Sequence, residues 1–231
     1  MNFIRSSKHN TKFNNTTKQT NLNTFVNEYR RVLNLMLDDV WNNGYQWTTT
    51  NKKTNITINH KFNIKENKLE HPRFIDYNKF NVKTPLSART KSFIVTQLCG
   101  ILGASVEKQK KRLYVLNKLQ SEDTPEYKLT KLKVKIKQNK PTKPDVSKTN
   151  LELSSKCCDY KETSGEFNSF LRLKYTGLPE IKIPIKYHRQ SNKWKNKGQV
   201  MTSFLINPNF ICIRWKCNQD KKTKGEVRGA D

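Results

Sequence analysis

Residues Gly177–Asp231 read GLPEIKIPIKYHRQSNKWKNKGQVMTSFLINPNFICIRWKCNQDKKTKGEVRGAD, a series of short β-type runs separated by cationic turns. In the first run Ile181, Ile183, Ile185 and Tyr187 alternate with Lys182, Pro184, Lys186 and His188, a period of two that predicts a strand with one apolar and one basic face. Pro184 has no amide to donate, which places this strand at a sheet edge. Gln199–Ile206 and Phe210–Cys217 flank Asn207-Pro208-Asn209, a turn signal that predicts a β-hairpin. Ile211, Ile213, Trp215 and Cys217 then share one face of the second hairpin strand, and Cys212, Arg214 and Lys216 the other.

Upstream, the period is helical. After a polar N-terminal stretch, read as a short initial strand and a mobile linker over residues 1–22, a cap at Asn23 or Thr24 opens a helix. Phe25, Tyr29, Val32, Leu33, Met36, Leu37, Val40 and Trp41 recur in it at three- and four-residue steps. Arg30, Arg31 and Asn34 lie opposite, on a face that is either solvated or in contact with phosphate. A second helix starts behind Ser87, buries Ile94, Leu98, Ile101, Leu102 and Val106 in a stripe that Leu113, Leu116 and Leu119 extend, and carries the cluster Lys108, Lys110, Lys111 and Arg112. Between the two helices, Trp47, Phe62, Phe74, Tyr77 and Phe80 are read as core contacts in preference to base-stacking groups, with one hairpin around Ile56 and Ile58. Leu132, Val134 and Ile136 alternate with Lys131, Lys133, Lys135 and Lys137, which predicts a half-buried strand with a cationic outer face. Pro141 and Pro144 break regular structure and mark the best boundary. Beyond them the C-terminal third is expected to form an antiparallel barrel or curled sheet.

Charge is the strongest functional statement. Among 231 residues, 45 Lys and Arg face 19 Asp and Glu, a net +26 that repels itself unless a polyanion or counterions neutralise it. No apolar run reaches the length of a membrane-spanning helix, so nucleic acid is the expected partner and a membrane is not. Mean hydropathy is −0.88, yet the apolar residues fall into periodic runs, which argues for a folded chain. Five cysteines without framework spacing point to a reducing compartment, and Cys212 with Cys217 would face opposite ways if both lie on one strand, so they are read as structural thiols in preference to a paired zinc site. His9, His60, His71 and His188 are widely separated, and no phosphate-binding glycine loop or nucleophile elbow occurs.

The order of these segments carries a resemblance. TFVNEYRRVLNLMLDDVW, then LSARTKSFIVTQLCGILGASVEKQKKRL, FNSFLRLKYTG, IPIKYHR with its basic turn, FICIRWKC and the final GAD together resemble the N-terminal half of TnpB-like transposon-encoded RNA-guided nucleases and the related small type V CRISPR effectors. The resemblance covers roughly Thr24–Asp231. It implies an α+β fold in which a helical recognition lobe is inserted in or packed on an antiparallel β-barrel, the wedge module. The implied division is an initial strand and linker over residues 1–22, a recognition lobe over 23–128, a wedge barrel over 129–222 and the start of a RuvC-like domain over 223–231. It also implies a structured guide RNA and target DNA as partners, a cytoplasmic, nucleoid-associated setting in a bacterium, phage or mobile element, and Mg2+ for the complete nuclease.

By the same resemblance Asp231 stands where the family's pattern places its first RuvC carboxylate, but one carboxylate cannot hold the paired cations that phosphodiester cleavage needs. The stop inside what should be a strand leads to the expectation of a longer reading frame. The residues expected to contact nucleic acid are Lys108, Lys110, Lys111 and Arg112 on the helix, and Lys182, Lys186, His188, Arg189, Lys193, Trp194, Lys195 and Lys197 around the basic turn. The alternative is a stand-alone basic nucleic-acid-binding protein, such as a nuclease-dead repressor or an RNA-associated protein.

Overall fold

The computed structural model describes residues 2–11, 13, 15–51, 53, 55–121, 125–136, 141–174 and 176–218. The fold is α+β with antiparallel sheets, and the chain divides into two compact units, residues 1–26 with 150–231 and residues 27–149. Among the described residues the sheets are three open ones, and none closes into a barrel.

The first unit holds two of them. A four-stranded sheet runs β1 (Asn2–Asn10), β10 (Phe210–Asn218), β9 (Gly198–Asn207), β5 (Leu151–Ser154). A three-stranded sheet runs β6 (Cys158–Glu162), β7 (Ser169–Leu173), β8 (Ile181–Ile185). The predicted hairpin is present: β9 and β10 join across Pro208 and Asn209, with Asn207 opposite Phe210. Ile211, Ile213, Trp215 and Cys217 are all buried, as period two requires. Strand β8 is an edge strand in which Pro184 faces Phe170, while Ile181, Ile183 and Ile185 are buried with Leu171 and Leu173 of β7. Tyr160 of β6 stacks on Phe204 of β9 with ring centroids 5.8 Å apart, which ties the apolar faces of the two sheets into one core.

Strand β1 is longer than a short lead-in. It pairs antiparallel with β10 over its whole length, from Asn2–Asn218 to Asn10–Phe210. Helix α1 spans Thr16–Asn43 and so begins seven residues before Asn23. Asn15 supplies the cap by accepting the Lys18 amide at 3.3 Å, and Leu22, fully buried, is already a core residue. Residues 16–22 are thus helix, and no linker lies there.

The second unit packs the remainder of α1 and α2 (Ala88–Ser121) with β2 (Tyr45–Thr50), β3 (Thr57–Asn63) and β4 (Lys68–Leu69). Ser87 caps α2 by accepting the Thr90 amide at 3.2 Å, and Ile94, Leu98, Leu102 and Val106 are buried as expected, while Ile101 is half-buried. Tyr29 donates to Gln97 at 2.9 Å across the α1–α2 packing. Gly103 lies against the His71 ring, where an added Cβ would sit 3.0 Å from its nearest carbon.

The lysine-rich strand expected around residues 131–137 is instead helix α3, Glu126–Ile136, which packs on α2. Lys and Leu are good helix formers, Leu129 is the buried contact, and Val134, assigned to the inner face of that strand, is 62% exposed. Of the aromatic residues read as core, Phe62 is fully buried but Phe74 is 73% exposed.

Candidate nucleic-acid interface

Beyond Ile185 the chain leaves the sheet through Lys186 and Tyr187 to an extended His188, then forms the short helix α4, Arg189–Lys195. Asn196 ends it by donating its amide to the Asn192 carbonyl, and Gly198 starts β9 against the backbone of β10. A Cβ at Gly198 would stand 2.8 Å from the Cys217 Cα, so only glycine fits. This geometry leaves Lys186, Arg189, Lys193, Lys195 and Lys197 exposed around a helix whose inner side is anchored by fully buried Ser191.

The anchor is a polar network centred on His9 of β1. His9 Nδ1 faces the Lys186 carbonyl at 3.2 Å and therefore carries the proton, so Nε2 is the acceptor nitrogen, its one lone pair shared between the hydroxyls of Ser7 at 3.0 Å and Ser191 at 3.1 Å. Trp215 Nε1 donates to Ser7 Oγ at 2.8 Å. His188 stacks on His9 with centroids 4.9 Å apart and donates from Nε2 to the Lys8 carbonyl at 3.0 Å. Burial, reinforced by the neighbouring His188, lowers the His9 pKa to about 4. The ring is thus neutral, and its role is to stitch β1 to the β8–α4 connection.

Over this network lies an aromatic and cationic surface. Trp194, half-buried, meets the edge of Phe3 at 6.3 Å, and the Arg5 guanidinium sits 4.9 Å from the Phe3 centroid and 5.7 Å from that of Trp194. Lys193 Nζ lies 5.0 Å from the Trp194 centroid. Lys195 bonds Glu162 at 2.9 Å and sits over the Tyr187 ring. Among the described residues it is the one cation of this group with a carboxylate partner. Arg5 was missing from the sequence reading, because β1 reaches α4 only through pairing with a strand some two hundred residues away.

The structure brings Lys186, His188, Arg189, Lys193, Trp194, Lys195 and Lys197 together. Lys182 belongs elsewhere, on the outer face of β6–β7–β8 with its Nζ 4.3 Å from the Phe170 centroid. In the second unit, Lys108, Lys111 and Arg112 line a shallow groove along α2 with Ala104 and Val115, while Lys110 pairs with Glu107 at 2.8 Å. Arg30 and Arg31 are committed to internal partners, since Arg30 Nε donates to the Thr149 carbonyl at 2.9 Å and Arg31 pairs with Glu28 at 2.7 Å.

No protein-family model matches this sequence, and no curated protein matches it at a significant level. Asp231, the carboxylate that the resemblance assigns to Mg2+, lies outside the described residues. Among the described residues no three His, Cys, Asp or Glu side chains converge in a group that could hold a metal ion. No described helix is long and apolar enough to cross a membrane.

Proposed function

We propose that the chain binds folded nucleic acid, and that it does so as the guide-RNA and target-DNA binding part of a TnpB-like RNA-guided DNA endonuclease. In this reading the sheets of the first unit serve as the wedge module and the helices of the second as the recognition lobe. The observation that carries it is the α4 surface. Arg5, Lys186, Arg189, Lys193 and Lys197 are exposed and make no ion pair among the described residues, and they surround the half-buried aromatic pair Phe3 and Trp194. Cations that only solubilise a protein are spread and internally paired, whereas cations gathered around aromatic rings suit a phosphate backbone and its bases. The order of sequence segments supports the finer assignment to guide RNA and target DNA, in which protein reads heteroduplex shape and base pairing reads sequence.

The test is a salt series of binding to structured RNA and to duplex DNA. Replacing Lys186, Arg189, Lys193 and Lys197 with Ala should lower the slope of log K against log salt by about 3, at about 0.7–0.9 per lost phosphate contact. Replacing the exposed lysines Lys53, Lys65, Lys68 and Lys83 should lower it far less. Equal losses in the two sets would reject the α4 surface. A flat salt response of the unaltered protein would reject nucleic-acid binding altogether.

A further inference from the structure

We infer that the outer face of the β6–β7–β8 sheet is a separate subsite for an unpaired nucleotide segment, with a base stacked on Phe170 and the flanking phosphates held by Lys161 and Lys182. This inference rests on the nucleic-acid-binding reading above and deepens it by naming a single-stranded ligand.

The cleft measures about 240 Å³. Its walls follow from strand register. Phe170 lies opposite Lys161 on one side and Pro184 on the other, and Arg172 lies opposite Asp159 and Lys182, so all these side chains leave the same face of the sheet. The opposite face of β7 and β8 is the buried one that carries Leu171, Leu173, Ile181, Ile183 and Ile185. Phe170 therefore spends its ring on the outside of a sheet whose inside is already filled. Phe167 braces it edge-on at 5.7 Å.

Charge selects the ligand. Glu180 is paired with Arg172 at 2.5 Å and Asp159 with Lys174 at 3.3 Å, so both carboxylates in the cleft are neutralised internally. Lys161 and Lys182 are exposed and make no ion pair among the described residues. What holds the Lys182 ammonium in place is the Phe170 ring itself, at 4.3 Å. A nucleotide would take the ring face for its base and the released ammonium for its phosphate. The alternation of one aromatic with neighbouring cations on an open sheet face is the arrangement that binds single strands, since every base presents a π-face once it leaves a duplex. Bases inside a duplex cannot reach a ring set between β-strands.

The test uses the full chain, fluorescein-labelled oligo(U) and oligo(dT) of about ten nucleotides, and RNA and DNA duplexes of about 20 bp. Phe170→Leu keeps apolar bulk and removes the stacking surface. It should weaken oligonucleotide binding by at least about fivefold, in line with the stacking contribution of one base, and change duplex binding by less than about twofold. Phe170→Tyr should restore single-strand affinity, which separates stacking from a folding defect. Lys161→Gln with Lys182→Gln should lower the oligonucleotide salt slope by about 1.4, at about 0.7 per phosphate on a single strand.

The oligo(U) and oligo(dT) arms show whether the strand is RNA or DNA. Equal losses for duplex and single strand, no loss with Phe170→Leu, or no rescue with Phe170→Tyr would each overturn the subsite. If the unaltered protein binds duplex and folded RNA with a steep salt dependence while Phe170→Leu discriminates nothing, this inference fails alone. If the unaltered protein binds no nucleic acid at all, the functional reading fails with it.

Discussion

Acidification acts on this protein through His9, a residue 4% exposed whose Nε2 lone pair is shared by the hydroxyls of Ser7 and Ser191. Burial and the adjacent His188 lower its pKa from 6.5 to about 4. Between those values the unfolded chain binds a proton that the folded chain refuses, so stability is fully present above about pH 6.5 and declines as the pH falls toward 4. A separation of that size corresponds to about 3 kcal/mol, and the exposed His188 face admits enough solvent screening to reduce the expectation to about 2 kcal/mol.

Urea unfolding would be followed by tryptophan fluorescence with Trp41 and Trp47 replaced by Phe, so that Trp194 and Trp215 report the first unit alone. At constant ionic strength, the protein should lose about 2 kcal/mol between about pH 7.5 and 4.5 beyond what a His9→Gln variant loses. His9→Gln should itself cost roughly 1–3 kcal/mol at pH 7.5, because Ser7, Ser191 and the Lys186 carbonyl lose a shared partner. The rise of net positive charge on acidification is common to both proteins and cancels in the difference. Parallel pH curves for the two, or greater stability at pH 5 than at pH 7.5, would refute the assignment.

Two further perturbations are decided by local geometry. Gly198→Ala should cost about 1–3 kcal/mol, read as a lower urea midpoint, because its Cβ would meet the rigid Cys217 Cα and the Lys216 backbone; an unchanged midpoint would show that β9 can shift away from β10. With iodoacetamide at mildly alkaline pH, peptide mass spectrometry should find Cys212 alkylated before Cys99 and Cys158. Burial pushes Cys99 up to about 11 and Cys158 higher still, while at half-buried Cys212 the effect of burial is opposed by Lys8 and Arg214.

Legibility in the sequence tracked how local the deciding contacts are. The β9–β10 hairpin and most of the buried stripes of α1 and α2 are set by period and by residues a few positions apart and stand where the pattern placed them, although Trp41 and Ile101 are only half-buried. The α3 segment misled because Lys and apolar residues in strict alternation satisfy a strand template. The arbiter is tertiary: the segment packs on α2 as a helix through Leu129, while Val134, which the alternation turned inward, stays in solvent. The N-terminus misled for the opposite reason, since Ser7 and His9 look like surface residues until β10 is laid beside them. At the interface, the cations around α4 were visible as a run, but their support was not. Phe3, Arg5, Ser7 and His9 come from a strand that carries no basic run and no motif.

That support changes how interface mutations must be read. Arg5 stands on the same strand face as Ser7 and His9, two and four residues before them, and Ser191 anchors α4 to the same imidazole. Weakening the His9 network therefore loosens β1 and α4 together, and under the proposed function nucleic-acid affinity should fall although His9 is not itself at the surface. The salt slope separates this route from direct contact. A lost phosphate contact lowers the slope by about 0.7–0.9, whereas a docking equilibrium that leaves the bound contacts intact lowers affinity by the same factor at every salt concentration. His9→Gln should therefore displace the binding isotherm in parallel, and Arg189→Ala should tilt its salt dependence. A tilt with His9→Gln would mean that the strand is lost from the bound state as well, and that Arg5 leaves the nucleic acid with it.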